Sequence, residues 1–280
     1  MAAVDLHSHT TASDGTLAPR DLVAVAAKQG VRVLAVTDHD STNGIAEARE
    51  AARAQPGLTV VPGIEINCDV DGAEIHVLGY FLDLEASWLQ DFLGEQRAER
   101  AARVHRVLER LAALGMHVDA SEVFALVKEG SAGRPHIAQA MVHRGYVRSV
   151  REAFDRYLDT GGPASAPRRK LTPEQAVGVI RRASGVPVVA HPGLANRDAM
   201  LPSLVEAGLQ GIEAHYPEHS ALQTQTYLEY CARHGLVATG GSDFHGPGVG
   251  HAPHPGAHAV PDRAWDDLRE RAHALGAPGA

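Results

Sequence analysis

Imidazoles and carboxylates fall in short clusters along this chain. His7 and His9 flank Ser8, Asp14 follows in Ser13-Asp14-Gly15, and Asp38-His39-Asp40 closes an apolar run. Glu65 lies in Gly63-Ile64-Glu65, His76 in Ile75-His76-Val77, His191 in Ala190-His191-Pro192 and Glu213 in Gly211-Ile212-Glu213. Asp243 and His245 stand together in Ser242-Asp243-Phe244-His245. Nitrogen and oxygen donors without thiolate suit Mn, Fe or Zn, and the donor types do not choose among them. Ions paired by shared ligands generate a hydroxide and grip the attacking and leaving oxygens of a phosphoryl displacement. A single histidine of this kind is usually a core or surface residue, so the reading rests on the whole set converging.

A succession of strands would bring them together. Apolar runs at residues 4–9, 31–37, 58–67, 74–81, 186–191, 211–214 and 236–240 alternate with helical patterns. Most are apolar on both faces, as in a parallel sheet or barrel. Pro19 marks a first helical turn, and Thr172-Pro173-Glu174-Gln175 is a capping box. A strand has period two, so His7 and His9 point to one side. The other candidates end strands or follow them, except Glu65 and His76, expected inside strands at their carboxyl halves. Barrel enzymes build their sites at the carboxyl ends of strands. The alternation stops between residues 84 and 167. Residues 90–114 form one long helical pattern with Val104, Leu108, Leu111 and Leu114 on a face. Further helical segments are expected at 121–128, 137–144 and 150–160. The prediction is an α/β fold: a β/α barrel from residues 1–83 and 168–280, with residues 84–167 inserted as a helical cap.

Taken in order, His7-Ser8-His9, Thr37-Asp38-His39-Asp40, Gly63-Ile64-Glu65, Ala190-His191-Pro192 and Ser242-Asp243-Phe244-His245 resemble the PHP (polymerase and histidinol phosphatase) family. The resemblance covers both barrel segments. It implies a distorted (β/α)7 barrel holding three divalent ions per chain. One ion would take His7, His9, Glu65 and Asp243. A second would share Glu65 and add His76 and His191. A third would take Asp14, His39 and His245. Glu65 and Asp243 would then be catalytic as well as ligating. Asp5, Asp38, Asp40 and Glu213 are candidates to orient the imidazoles. The ions would outweigh Asp14, Glu65, Asp243 and a bridging hydroxide, leaving the mouth about two charges positive, a receptor for phosphate. The family branch that hydrolyses nucleoside 3′,5′-bisphosphates and short RNA 5′ ends has a segment similar to Gly133-Arg134-Pro135-His136, so Arg134 and His136 are candidate substrate ligands. A helix start bearing an arginine is also an anion site on physical grounds. His219 resembles a substrate-facing histidine of other members and is a candidate general acid or phosphate donor, with His215 nearby. That branch would carry a basic residue just after His191-Pro192-Gly193, whereas this chain reads Leu194-Ala195-Asn196-Arg197. Arg197 is the displaced substrate-binding candidate.

Arg97, Arg100, Arg103, Arg106 and Arg110 read as a solvated helix face, with Glu99–Arg103 and Arg106–Glu109 pairs. Arg168, Arg169 and Lys170 could meet a second phosphate at the hinge. His251, His254 and His258 are irregularly spaced in a Gly/Pro loop and read as compositional drift. A net charge of −8 over 280 residues argues against sequence-indifferent nucleic-acid binding. Two distant cysteines without a CxxC, no leader-like start and no long apolar run suggest a cytoplasmic protein. The expected function is metal-dependent hydrolysis of phosphate esters by metal-bound hydroxide, acting on a nucleotide or short RNA end. A small monoester such as histidinol phosphate is the alternative substrate, and a non-catalytic metal-binding module the alternative role.

Overall fold

The computed structural model describes residues 3–70, 73–127, 132–166, 171–249 and 252–280. Seven strands form one sheet in chain order: β1 (Val4–Asp5), β2 (Val33–Val36), β3 (Thr59–Val70), β4 (Ala73–Tyr80), β5 (Val186–Val189), β6 (Gly211–His215) and β7 (Val237–Gly240). Beyond β7 the chain meets the first strand again. Leu6 N donates to Gly240 O at 3.1 Å, and a parallel bridge joins Ser8 to Phe244. The sheet is thereby nearly closed into a (β/α)7 barrel. The first strand is shorter than the apolar pattern suggests. Residues 6–9 instead bond to residues 240–244 outside the regular ladder.

Pairing is parallel everywhere except around β4, which runs antiparallel to β3 and to β5. In this respect β4 departs from the parallel arrangement that the doubly apolar runs suggest. Two residues separate β3 from β4, whereas a parallel crossover needs a dozen or more. The reversal also corrects the placement of His76. It lies in the amino half of β4, and the reversed strand brings that half to the mouth.

The helices are α1 (Pro19–Lys28), α2 (Ile45–Ala52), α3 (Ser87–Ala113), α4 (Ala120–Ala125), α5 (Arg134–His143), α6 (Val150–Ala153), α7 (Pro173–Arg182), α8 (Pro192–Ala195), α9 (Leu201–Ala207), α10 (Ala221–His234) and α11 (Asp262–Leu275). Leu34 and Val36 of β2 pack with α1 and α2, while the alternate residues Val33 and Ala35 join Val61, Leu78, Val186 and Val188 above α11. Glu65 and His76 share strand faces with Val61 and Leu78, so one face passes from apolar to ligand-bearing toward the mouth. The capping box of α7 forms: Gln175 N donates to Thr172 Oγ1 at 3.3 Å and Thr172 N to Gln175 Oε1 at 3.0 Å.

Between β4 and α7 lies a helical block with its own core, in which Val104, Val107, Leu108 and Leu111 of α3 meet Ile137, Met141 and Leu158. Leu114, expected on that face, is exposed, because α3 ends at Ala113. The amino end of α3 belongs elsewhere: Leu89 and Leu93 pack with Ile64 and Ile66 of β3. After α6 the chain widens into a π-helical turn, Phe154–Leu158. Pro167, Arg168, Arg169, Lys170 and His251 lie outside the described residues, and so does the expected return boundary of the cap.

Candidate metal centre

Residues leaving the strands at the barrel mouth carry unusual backbone. Asp40, His191 and Asp243 adopt φ of 49°, 25° and 52°. A non-glycine residue pays steric strain there, which persists only where surroundings impose it. The chain must also pass close by: a Cβ on Gly241 would lie 2.4 Å from Cβ of His7. Asp243 N donates to His7 O at 2.9 Å, tying the seventh strand's extension to the first.

These backbones converge the side chains on Glu65, which is almost fully buried. Its Oε1 lies 2.8 Å from His76 Nδ1, 3.2 Å from His191 Nε2 and 3.4 Å from His7 Nε2. Its Oε2 lies 2.9 Å from His39 Nδ1 and 3.3 Å from His9 Nε2. One carboxylate thus stands among five imidazoles. Asp243 Oδ1 is 3.2 Å from His7 Nε2 and 3.1 Å from His9 Nε2, as a common direction for the two rings requires. Asp14 sits 3.7 Å from His39 Nε2 and 3.5 Å from His245 Nε2.

Among the described residues, donor atoms gather into four overlapping groups: His7, His9 and Asp243; His9, Asp14, His39 and His245; His7, Glu65 and His191; and His39, Glu65 and His76. The first holds the set expected for the first ion apart from Glu65, and the second holds the whole set expected for the third ion with His9 added. The set expected for the second ion meets on Glu65 but divides, His191 grouping with His7 and His76 with His39.

Unsatisfied atoms test whether cations fit. Among the described residues, His7 Nε2, His9 Nε2, Asp14 Oδ1, His39 Nδ1, Glu65 Oε2 and His76 Nε2 are buried without a hydrogen-bond partner. Each such atom costs about 1–3 kcal/mol unless something occupies its lone pair. Their clustering suits divalent metal ions. The protein's own electrostatics point the same way. Burial would raise the carboxyl of Glu65, but His76, His39 and His7 hold it well below the usual range. Burial would likewise raise Asp14 and Asp243, and the surrounding histidines reverse this. Against the effect of burial, Asp243 and Glu65 lift His9 to about 10, and Glu65 and Glu74 lift His76 to about 9. Burial wins at His39, which falls to about 4.

Of the four carboxylates expected to orient imidazoles, Glu213 does so directly. Its Oε1 accepts from His7 Nδ1 at 3.0 Å, leaving the Nε2 lone pair for the centre, and its Oε2 accepts from His191 N at 2.9 Å. The roles of the others are corrected. Asp5 accepts from Ser242 N, Ser242 Oγ and Gly256 N and so holds the seventh strand's extension. Asp38 accepts from Thr10 N, Thr10 Oγ1 and Ser13 Oγ, reaching His9 through Ser13 Oγ, 3.5 Å from His9 Nδ1. Asp40 faces the cap, with Arg100 Nε at 3.2 Å.

All of the donors except His7 and His9 line a cavity of about 400 Å³, with Arg100, Arg103 and Arg134 beside Val104, Val107, Ile137 and Phe154 of the helical block on its other side. The expected solvated arginine face is corrected. Arg97 donates to Asp40 O and Arg103 to Ala166 O, and Arg106 pairs with Glu99 rather than Glu109. Arg134 opens α5 at the cavity and pairs with Glu74. His136 is turned to its own helix start, where Nδ1 accepts from Gly133 N at 3.2 Å. His219 has both nitrogens engaged: Nε2 accepts from Gly193 N at 3.2 Å, so Nδ1 donates to Ala214 O at 3.0 Å. It braces the turn after His191 and offers no free nitrogen to a substrate. Arg197 is exposed at the start of a 3₁₀ turn, outside the cavity lining. Sequence reasoning missed Tyr216, whose hydroxyl donates to Asp243 Oδ2 at 3.0 Å, and Glu74. Glu74 was legible in principle, two residues before His76 on the same strand face. Tyr216 carried no such signal.

The PHP domain model matches residues 5–164 of this chain. The chain belongs to the PHP family. Two relatives extend the likeness over nearly the whole length. The 5′-3′ exoribonuclease Rnm of Escherichia coli (strain K12) is 37% identical over 256 residues, covering 87% of this chain and 85% of the relative. The 3′,5′-nucleoside bisphosphate phosphatase of Chromobacterium violaceum is 36% identical over 261 residues, covering 89% and 90%. A solved structure described as a metal-dependent phosphoesterase from Bifidobacterium adolescentis superposes with a TM-score of 0.88 at 32% identity, covering 96% of each chain. This PHP protein is a phosphoric ester hydrolase. No helix among its described residues is long and apolar enough to cross a membrane.

Proposed function

We propose that this protein removes phosphate from nucleoside 3′,5′-bisphosphates or from the 5′-phosphorylated ends of short RNA, using three divalent ions. The ligands would be His7, His9, Asp14, His39, Glu65, His76, His191, Asp243 and His245. When bound, the ions supply Lewis acidity and a water acidified for attack. The chain's own residues do the rest. Glu65 and Asp243 hold the imidazoles in register. Glu213 fixes His7 in the tautomer whose Nε2 lone pair faces the centre. Tyr216 donates to Asp243 and keeps that carboxylate from turning.

The observation that carries the substrate reading is the cavity itself, where Glu65, Asp14, Asp243 and four of the histidines line one space of about 400 Å³ with Arg134. A guanidinium opposite a phosphate-hydrolysing centre suits a second phosphate on the same substrate, and binding that group orients the scissile one. The names of the two relatives agree with this substrate class. The test is a phosphate-release screen of manganese-loaded protein. Substrates would be adenosine 3′,5′-bisphosphate, 5′-phosphorylated oligoribonucleotides, 5′-AMP, sugar phosphates and histidinol phosphate. The expected result is a kcat/KM for the bisphosphate or the oligoribonucleotide at least about tenfold above that for the monophosphates. Equal or higher values for histidinol phosphate or a sugar phosphate would overturn the reading.

A further inference from the structure

Arg134 is held by parts of the molecule far apart in sequence. Its Nη2 pairs with Glu74 of β4, and its Nη1 lies 3.5 Å from Leu158 O. Its Cζ sits 5.6 Å from the centre of the Phe154 ring. Phe154 and Leu158 bound the π-helical turn, closed by Asp159 N donating to Phe154 O at 3.2 Å. Such turns are rare and recur at functional sites. Here the widened turn presents a ring and a carbonyl to the same guanidinium. Arg134 keeps 15% of its side-chain surface, facing the cavity it lines.

Glu74 has a second neighbour. Its Oε1 lies 3.8 Å from His76 Nε2. Residues two apart on a strand share a face and stand about 7 Å apart along it. One strand therefore carries both a residue of the donor cluster and the carboxylate that anchors Arg134.

We infer that Glu74 is a positioning residue for substrate specificity: through Arg134 it sets the distance between the centre that cleaves one phosphate and the site that receives the other. This rests on the two-phosphate reading of Arg134. A guanidinium has five N–H donors, so engaging Glu74 and Leu158 leaves others for a ligand. A fork already held by carboxylate, carbonyl and ring loses little freedom when the ligand arrives.

The experiment is a double-mutant cycle on manganese-loaded, full-length protein, with Glu74→Gln, Arg134→Ala and the pair. Each is assayed on adenosine 3′,5′-bisphosphate and on p-nitrophenyl phosphate, with bound manganese measured. Arg134→Ala should lower kcat/KM for the bisphosphate about 10- to 100-fold, far more than for p-nitrophenyl phosphate. Glu74→Gln should raise KM for the bisphosphate about tenfold, with a much smaller effect on kcat. In the Arg134→Ala background it should add less than about twofold, because it acts through that arginine. Glu74→Asp, which keeps the charge on a shorter arm, should recover part of the loss.

Effects of Glu74→Gln and Arg134→Ala that multiply independently would overturn the proposal. A lower KM in Glu74→Gln would also overturn it, by showing that the carboxylate competes with substrate for Arg134. Loss of bound manganese in Glu74→Gln would assign Glu74 to the metal centre instead. Equal losses on both substrates in Arg134→Ala would remove the two-phosphate reading, and the inference with it.

Discussion

Replacing Glu213 with glutamine changes one atom and should cost the centre much of its metal affinity. Glu213 is fully buried and accepts two hydrogen bonds, from His7 Nδ1 at 3.0 Å and His191 N at 2.9 Å. Both partners are donors, which a carboxylate satisfies and an amide cannot. The backbone N–H of His191 has no other tautomer, so the amide oxygen must turn to it. The amide NH₂ then faces His7 Nδ1 and favours the tautomer with the proton on Nε2. That is the atom now unpaired and 3.2 Å from Asp243 Oδ1. The alternative rotamer leaves two donors facing each other at His191. The first arrangement takes the Nε2 lone pair away from the centre, and the second forfeits a buried hydrogen bond, about 1–3 kcal/mol. Loss of such a partner behind a ligand typically lowers metal affinity about 10- to 100-fold, which is about 1.4–2.7 kcal/mol. The assay is competition for manganese against a fluorescent chelator at fixed pH, with circular dichroism confirming the fold at saturating metal. A manganese affinity for Glu213→Gln within about twofold of wild type would refute the tautomer argument.

Glu65→Gln should lower turnover on the order of 100-fold or more in metal-replete protein, because the carboxylate stands among five imidazoles; near-wild-type turnover would exclude a bridging role. Chelation should lower the melting temperature by roughly 5–10 °C from a state where metal is at about 100 times its dissociation constant, worth about 2.7 kcal/mol; a calorimetric scan with no shift would mean that metal does not bind the native state selectively. Burial pushes the Cys231 thiol up to about 12, and Cys68 is buried too. Both should stay unreactive to a disulfide reagent at pH 8 and titrate as two thiols in denaturant, since the thiolate is the attacking form; fast reaction in native protein would show that these sites open.

The sequence by itself determined which residues could ligate and roughly which runs would be strands. Period two put His7 and His9 on one side, and unbroken apolar runs marked strands with both faces buried. The capping box at Thr172 and Pro19 at a helix start were legible because these signals are local: each is read within four residues. The short link between β3 and β4 also implied a reversed strand, although alternation with helices elsewhere masked it.

Tertiary structure alone decided which residues meet. Arg134 and Glu74 are 60 positions apart, and their pairing depends on where the cap comes down on the barrel. Asp40 and Glu213 looked alike in sequence as strand-end carboxylates. Only the closure of the barrel turned Glu213 to His7, while α3 claimed Asp40 through Arg100. The arginines of α3 read as a solvated stripe because helical periodicity reports which residues share a face, not what that face meets. The contacts of His219 were hidden for the same reason: its nitrogens meet backbone groups of Gly193 and Ala214, whose positions follow from the turn after His191. Spacing specifies direction along one element, whereas contact between elements is set by how all of them pack at once.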